Sequence, residues 1–130
     1  MSCNIPDELR FHTDHLWVKA ADNVSEVYIG VSDFAQKRLG TILFVELPRV
    51  GETIEAGSAF GTVESHKVVS DLIAPASGEI VEFNEKLRDA ANLVNADCYG
   101  DGWLVKIRMQ DAAHLSMLLT SGDYRALIGD

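Results

Sequence analysis

The stretch that decides the fold is GETIEAGSAFGTVESHKVVSDLIAPASGEIVE, residues 51–82. It begins with GETIE (51–55) and ends with GEIVE (78–82), each a Gly-Glu pair followed by two β-forming residues and a glutamate. We interpret these segments, which lie 27 residues apart, as the marks of a duplicated β unit. The hairpin that connects two such units must lie near their midpoint. That midpoint is Lys67.

Lys67 interrupts the strand-like run VESHKVVSD (63–71). Lysine is uncommon in strands and normally keeps its ammonium group in water. One interpretation is therefore a solvated turn residue, the ordinary role of a single lysine. The other is a lysine held at a hairpin tip so that a cofactor can be attached to it. A cofactor tethered in this way stays at high effective concentration near each docked partner.

The rest of the chain predicts a mainly β protein with a few short helices. Alternating and β-branched segments indicate strands, and Ser, Asp and Gly mark the beginnings and ends of the helices. We predict strands at 16–20, 26–32, 41–47 and 103–109, a turn at 21–25, a helix at 32–40 that begins at Ser32 or Asp33 and ends at Gly40, a long loop at 91–102, and two C-terminal helices capped by Asp111 and Ser121.

Length and charge limit the classes of function. A chain of 130 residues predicts one domain, residues 1–130, with an N-terminal segment (1–10) and C-terminal helices (111–130). The net charge of −9 argues against nucleic acid, because neutralising phosphates requires clustered Lys and Arg. No run approaches the roughly 18 apolar residues that span a bilayer, and the N-terminus lacks a secretory signal. We therefore expect a cytoplasmic protein without nucleic-acid or membrane partners.

Catalytic and metal-binding motifs are missing from the sequence. It contains no G-x-S-x-G, H-E-x-x-H or phosphate-binding loop, so we expect no enzymatic activity. The segment HTDH (12–15) has two histidines and an aspartate, but no Cys/His cluster accompanies it, and we predict no metal site. Cys3 and Cys98 are too few for a disulfide framework. Structural thiols are the default, although Cys3 lies in a terminal segment that we expect to be exposed.

Several blocks of the sequence match one known family. They are HLWV (15–18), IGVSDFAQKRLG (29–40), FVELPRVGETIEAGSAFGTVES (44–65), Lys67 with SD (70–71), PASGEIVEFNEKL (75–87), LVN (93–95) and YGDGWLVKI (99–107). In this order they resemble the glycine cleavage H-protein family from residue 11 to about residue 128. The resemblance implies a barrel-sandwich hybrid of two packed β-sheets with short flanking and C-terminal helices, the fold of lipoyl and biotinyl carriers. Biotin carriers usually flank their lysine with methionines, whereas His66 and Val68 stand here.

The resemblance implies a non-catalytic carrier with lipoate in amide linkage on Lys67. Glu64 and Gly78 match positions on which the lipoate-attaching enzyme, a lipoate–protein ligase or another, depends. The segment ASG independently predicts a turn with positive φ at Gly78. In the family the loaded arm rests in a cleft on the carrier's own surface, which shields the cargo from water. A non-lipoylated interaction module is the competing interpretation, and the presence of Glu64, Lys67 and Gly78 argues against it.

The sequence departs from the family pattern around the arm. A glutamate between His and Trp usually helps to hold the cationic amine of an aminomethyl cargo, and Leu16 stands in that position here. Leucine offers neither a charge nor a hydrogen bond. Asp71 matches its family position, and Asp14 stands where a small polar residue is common. His66, where a small or branched apolar residue is commoner, could tune the arm's environment or simply be exposed at the turn.

The cargo is the main question that the sequence leaves open. Cys98 replaces the proline that usually precedes YG, and Cys3 lies just ahead of IPDEL. With Leu16, these candidate redox residues favour a branch of lipoate-binding proteins that work with heterodisulfide-reductase-like complexes in sulfur oxidation. The alternative is an H protein that carries the aminomethyl group between glycine decarboxylase, aminomethyltransferase and dihydrolipoamide dehydrogenase. A purely structural role for both cysteines also remains open.

Overall fold

The computed structural model describes residues 3–21 and 25–129. They form two antiparallel β-sheets with short helices at their edges, which confirms the predicted mainly β architecture. The predicted turn at 21–25 falls largely on residues 22–24, outside the described residues. The strands are Arg10–Phe11 (β1), Leu16–Ala20 (β2), Glu26–Val31 (β3), Ile42–Glu46 (β4), Thr53–Ile54 (β5), Ala59–Ser65 (β6), Val69–Ile73 (β7), Gly78–Phe83 (β8) and Val105–Met109 (β9).

The duplicated segments are arranged around the β6–β7 hairpin. One sheet has the strand order β1-β2-β3-β9-β8-β5, and the other has the order β4-β6-β7. In the first sheet β5 pairs with β8, with Thr53 opposite Glu79. In the second, β6 pairs with β7, with Glu64 opposite Val69. Both ladders are therefore centred close to Lys67 in the sequence, as the duplication predicts.

Two apolar clusters join the sheets. The larger is built on the six-stranded sheet, and the smaller connects the three-stranded sheet to the helical segments. Leu47 and Phe60 pack against both clusters and so hold the sheets together. Each fully buried aliphatic or aromatic side chain contributes about 1.5–3 kcal/mol. Representative members are Val18, Ile29, Ile80 and Ile107 in the larger cluster and Val63, Leu72, Val94 and Leu104 in the smaller.

Trp17 anchors β2 to the loop that precedes β9. Its ring is fully buried, and its indole Nε1 donates a hydrogen bond to the carbonyl oxygen of Cys98 at 2.9 Å. The ring lies flat against Gly30 of β3, where a Cβ would come within 2.5 Å of it. Glycine at position 30 therefore allows the Trp17 indole to approach the β3 backbone closely, because any side chain there would displace the ring.

Short helices flank the sheets, and the first begins and ends where the sequence predicts. Ser32 caps it by accepting a hydrogen bond from the Ala35 N–H at 3.1 Å, and Gly40 ends it with φ of +78°. Among the described residues no helix is long and apolar enough to cross a membrane. The helices are Asp33–Leu39 (α1), Leu93–Ala96 (α2), Ser121–Ile128 (α3) and two 3₁₀ segments, Glu85–Arg88 and Ala112–Met117.

The caps of the C-terminal helices are partly as predicted. Asp111 is a cap, since its side chain accepts a hydrogen bond from the Ala113 N–H at 3.0 Å. Ser121 is not a cap, and this prediction is wrong. Thr120 takes that role instead and accepts from the Asp123 N–H at 3.2 Å. Both hydroxyl residues are good caps, so the sequence pattern alone does not choose between two neighbours.

The region between 91 and 109 differs from its prediction at two points. The expected loop at 91–102 contains the short helix α2, after which the chain folds back on Asp97. The strand expected at 103–109 begins only at Val105. The Trp103 carbonyl accepts instead from the Asn84 side-chain amide at 2.8 Å, so a side chain replaces the strand ladder at this point.

Gly78 is required for packing and not for a positive φ. Its φ is not among the positive values, so the prediction of a left-handed turn residue is wrong. Instead it is buried in β8, where a Cβ would come within 2.4 Å of the Arg108 carbonyl oxygen on β9. The residue therefore acts inside the six-stranded sheet, and an effect of its substitution on lipoate attachment would come through the fold.

We predict that Gly78→Ala lowers the free energy of unfolding by about 2 kcal/mol, because the methyl group overpacks the β8–β9 ladder. Gly122→Ala is the matched control: its Cβ meets nothing closer than the Thr120 hydroxyl at 3.9 Å, and it lies within α3. There the exchange should be neutral or stabilising by up to about 1 kcal/mol. Urea unfolding of both variants measures the difference, and equal stabilities would contradict this account of Gly78.

Candidate functional site

Lys67 occupies the tip of the β6–β7 hairpin, and its backbone is firmly held. The Ser65 N–H donates to the Val68 carbonyl oxygen at 2.9 Å and closes the turn. The hydroxyl oxygen of Ser65 also accepts from the backbone N–H groups of Lys67 at 3.2 Å and Val68 at 3.3 Å. Ser65 is buried, whereas Lys67 is exposed. The base of this lysine is thus fixed while its side chain remains accessible.

The Lys67 side chain lies across the C-terminal end of α1. Its ammonium Nζ donates to the carbonyl oxygen of Arg38 at 3.3 Å. A Cβ at Gly40 would come within 3.2 Å of the Lys67 Cε, so the glycine that ends the helix also makes room for the lysine. Carbonyl groups at a helix C-terminus carry partial negative charge and favour a cation. An acyl group on Nζ would remove the positive charge and leave one N–H as the donor for this contact.

A pocket of about 200 Å³ opens next to the Lys67 contact, because Arg38 and Leu39 belong to its lining. A water molecule occupies about 30 Å³ in the liquid, so the pocket admits a small group and not a large substrate. Its lining has an apolar part and a polar part. The apolar part comprises Leu16, Val31, Ala35, Leu39 and Leu72, and the polar part comprises Asp14, His15, Arg38, Ser70 and Asp71.

Leu16 gives this pocket an apolar wall where the family pattern has a glutamate. The leucine is only 2% exposed and packs into the larger core cluster, opposite Val31 in the β2–β3 ladder. Asp14 and Asp71 are exposed, and both line the pocket. The acidic groups in the lining of this pocket are therefore these two aspartates.

A hydrogen-bonded chain of three side chains determines the state of His15. The Ser32 hydroxyl is fully buried and already accepts from Ala35, so its proton needs an acceptor, and the Tyr124 hydroxyl lies 2.7 Å away. Tyr124 in turn lies 2.8 Å from Nδ1 of His15. With Ser32 donating to Tyr124, the Tyr124 proton goes to Nδ1. A neutral His15 therefore carries its own proton on Nε2.

Burial lowers the pKa of His15, and the nearby Arg38 guanidinium lowers it further, while Asp14 opposes the shift. Arg38 is held by the ring of Phe34, with its guanidinium carbon 5.3 Å from the ring centre. The neutral form of His15 is thus favoured in the fold, in agreement with an Nδ1 that accepts from Tyr124. Its contribution to stability is complete above about pH 6.5 and is lost as the pH falls below that value.

Sequence reasoning missed most of this hydrogen-bonded chain. It considered His15 only as part of a metal motif and Ser32 only as a helix cap, and it gave no role to Tyr124 or Arg38. Tyr124 lies 109 residues from His15 in the chain, so no local pattern could connect them. The positive φ of His15, +72°, is also unusual for a residue other than glycine and has no sequence signature here.

The structure separates the other residues that the resemblance singled out. Glu64 lies exposed on the outer face of the three-stranded sheet, three residues before Lys67, and His66 is exposed at the turn itself. Gly78 lies in the other sheet and is buried. Glu64 and His66 are therefore available to a partner that approaches Lys67, whereas Gly78 is not.

The two cysteines lie in different surroundings, and those of Cys98 are unfavourable for redox chemistry. Cys98 is buried in the smaller core cluster, and burial raises the pKa of its thiol to about 12, so the reactive thiolate is scarce at neutral pH. Cys3 is half-buried and packs against the cluster around Trp17 and Tyr124, contrary to the exposed terminal position that we expected. The structural role for Cys98 is the one that its surroundings favour.

A larger open groove, of about 650 Å³, lies along β5 and the first residues of β6. Its lining includes Glu46, Glu52 and Glu55 but not Lys67 or any other residue of the hairpin tip. Among the described residues no group of three or more His, Cys, Asp or Glu side chains is arranged to hold a metal ion. The smaller pocket beside Lys67 is therefore the candidate site.

Comparisons with known proteins agree with this geometry. Residues 9–130 match the family described as Glycine cleavage H-protein. The glycine cleavage system H protein of Chlorobium limicola is 52% identical over 127 residues, covering 98% of this chain and 99% of its own. That of Carboxydothermus hydrogenoformans is 47% identical over 124 residues, covering 95% and 94%. The crystal structure of one from Mycobacterium marinum gives a TM-score of 0.88 at 41% identity, covering 97% of this chain and all of that one. The chain belongs to the glycine cleavage H-protein family.

Members of the glycine cleavage H-protein family are non-catalytic carriers with lipoate bound covalently to a lysine, so the carrier class, the cofactor and the fold predicted from the sequence are confirmed. The preference for a sulfur cargo gains no support, since these relatives are named as glycine cleavage system H proteins. The alternative, an H protein of glycine cleavage, fits the comparisons better.

We predict that His15 titrates with a midpoint below about 6.5 and is mostly protonated on Nε2 above it. Nitrogen chemical shifts of the imidazole, followed by NMR over pH, measure both properties. Tyr124→Phe keeps the ring that stacks on Phe11 at 4.5 Å but removes the donor to Nδ1. In this variant the Nδ1-protonated form should gain population and the pKa should rise. An unchanged ratio of the two tautomers would show that Tyr124 does not control His15.

Proposed function

We propose that Lys67 carries the lipoyl group and that the arm delivers an aminomethyl cargo of glycine cleavage. The observation that carries this proposal is the position of Lys67, on a rigid turn and with its ammonium on the carbonyl oxygen of Arg38, a residue that lines a pocket of about 200 Å³. The lipoyl group supplies a disulfide that opens to hold the cargo on sulfur. The protein's own residues fix the arm's base, bind its loaded end and exclude water.

The surroundings of the other lysines support this assignment. The described part of the chain includes all five lysines. Lys37 and Lys86 are paired with Asp33 and Asp101, at 3.2 and 3.3 Å. Lys106 lies within β9, pairs with Glu26 and Glu82 and is largely covered, and Lys19 lies in the regular part of β2. Lys67 is the lysine of this set that stands at a tight turn beside a pocket.

Asp14 and Asp71 would bind the amine of the cargo. A charge-assisted hydrogen bond contributes about 1.5–3 kcal/mol, and the exposed position of both aspartates reduces that value. The Arg38 guanidinium repels an ammonium group, so we expect the amine to lie towards the aspartates. The apolar wall at Leu16 and Leu72 suits the alkyl chain and the sulfur atoms of the arm. Leu16 thus shifts part of the binding from charge to apolar contact.

The partners in this proposal are glycine decarboxylase, aminomethyltransferase and dihydrolipoamide dehydrogenase, together with the enzyme that attaches lipoate. We place the cycle in the cytoplasm, as the sequence led us to expect. The cargo of sulfur intermediates and a heterodisulfide-reductase-like complex are set aside, because the relatives do not support them and the buried Cys98 offers little reactive thiolate. That alternative would return if the lipoylated protein failed in glycine cleavage.

Reconstitution tests the proposal. The lipoylated protein, supplied with purified glycine decarboxylase, should support exchange of labelled bicarbonate into glycine, and Lys67→Arg should abolish it because arginine cannot form the amide. Lys19→Arg, which changes an exposed lysine of β2, is the matched control and should retain full exchange. Exchange by Lys67→Arg at the wild-type rate would refute the assignment of Lys67. No exchange by a fully lipoylated wild-type protein would refute the aminomethyl cargo.

A further inference from the structure

Exposed apolar side chains gather beside the Lys67 hairpin. Among the described residues, large hydrophobic side chains are exposed at seven positions, and four of these are at or next to this hairpin. A contiguous exposed apolar patch of this kind marks an interaction site, whereas scattered single residues need no explanation. The four are Leu43 and Phe44 on β4, Val68 in the turn and Val69 at the start of β7.

Strand register brings the patch into one surface. Phe44, Glu64 and Val69 lie opposite one another across the three-stranded sheet, all exposed. A register shift between Ile42 and Phe44 lets both Leu43 and Phe44 face outwards, as β-bulges do when they re-aim side chains. We call this surface the hairpin face and define it as Leu43, Phe44, Glu64, Val68 and Val69.

The neighbouring row of the same sheet is acidic. Glu46, Thr62 and Asp71 lie opposite one another across the three strands, two residues further from the hairpin tip along each strand than Phe44, Glu64 and Val69. Neither row contains a lysine or an arginine. A partner that covers the hairpin face must therefore present an apolar centre with basic residues next to it.

We infer that the hairpin face is the docking surface for the enzyme that attaches lipoate to Lys67, and that this enzyme meets it with an apolar and basic surface. This inference rests on the proposed attachment site and assigns the surface around it to the enzyme that recognises it. The attaching enzyme differs from the other partners in one respect: its substrate atom is Nζ itself. It must cover the residues around Lys67, whereas the glycine cleavage enzymes act at the far end of an extended arm.

The chemistry of attachment agrees with such close contact. The Lys67 ammonium must leave the Arg38 carbonyl oxygen and lose a proton before its nitrogen can attack. The nitrogen then forms an amide bond with the carbonyl carbon of an activated lipoyl group, an acyl adenylate; the bond from that carbon to the phosphate oxygen breaks, AMP leaves with the bonding electron pair, and the nitrogen loses a second proton. An enzyme seated on Phe44 and Val69 is positioned to withdraw the side chain from α1.

The test is the lipoylation rate of the unmodified protein by a purified lipoate–protein ligase with lipoate and ATP. Phe44→Ser should lower kcat/KM about tenfold or more, as the loss of a central aromatic anchor does at other interfaces. Leu127→Ser is the matched control, since Leu127 on α3 is 52% exposed and Phe44 is 55% exposed. Its kcat/KM should stay within about twofold of the wild-type value.

A second pair of variants guards against misfolding. Val69→Thr keeps the branched shape that suits a strand, so the fold is retained while an exposed apolar group is lost. Val50→Thr is its control, since Val50 is also exposed and lies in the turn after β4, beyond the strand end that is far from the hairpin tip. For the acidic row, Glu46→Gln should raise KM at low salt and lose its effect at high salt, where screening removes the attraction.

The outcomes separate this inference from the proposed function. Wild-type kcat/KM for both Phe44→Ser and Val69→Thr would overturn the inference and leave Lys67 as the attachment site. Normal lipoylation of these variants with loss of glycine-dependent exchange would assign the hairpin face to a glycine cleavage enzyme and also overturn it. A wild-type protein that the ligase fails to modify on Lys67 would overturn both.

Discussion

The hydrogen bonds of the buried Ser65 hydroxyl are the constraint on which the site depends. They hold the backbone of Lys67 and Val68 in one conformation, so the lysine starts from a fixed point at the end of two strands. Everything else is placed relative to that point: the end of α1, where the ammonium rests, the pocket beyond it, and the hairpin face on the outer side of the same sheet. A looser turn would let the lysine move away from all three.

The attachment that we propose would remove the charge of Lys67 and so change the interactions of its side chain. The unmodified ammonium is attracted to the carbonyl end of α1, whereas an acylated Nζ would keep one N–H donor and lose the positive charge that strengthens the contact. The attachment that we propose would therefore weaken the contact between the base of the arm and the helix end. The pocket next to that helix end then offers an apolar wall to the arm and two aspartates to a cationic cargo.

The sequence contained most of the fold but only part of the site. The duplicated Gly-Glu segments located the hairpin, because their pairing partners are symmetric in the chain about Lys67. Ser32 and Gly40 predict the ends of α1 correctly, because the Ser32 hydroxyl accepts a hydrogen bond from the first turn and Gly40 adopts a positive φ. The His15–Tyr124–Ser32 chain was out of reach, since it joins residues that only the fold brings together. The positive φ predicted for Gly78 is wrong, because a glycine can be required either by a turn or by a close approach between strands, and the sequence does not distinguish the two.

The measurement that tests the central claim most directly is the mass of the protein isolated from its own cells, with a peptide map over residues 60–75. The account predicts an increment of one lipoyl amide, located on Lys67 and on no other lysine. An unmodified Lys67 in cells whose other lipoyl carriers are fully modified would contradict it. The hairpin would then be an exposed turn with a solvated lysine, and the pocket beside it would have no arm to receive.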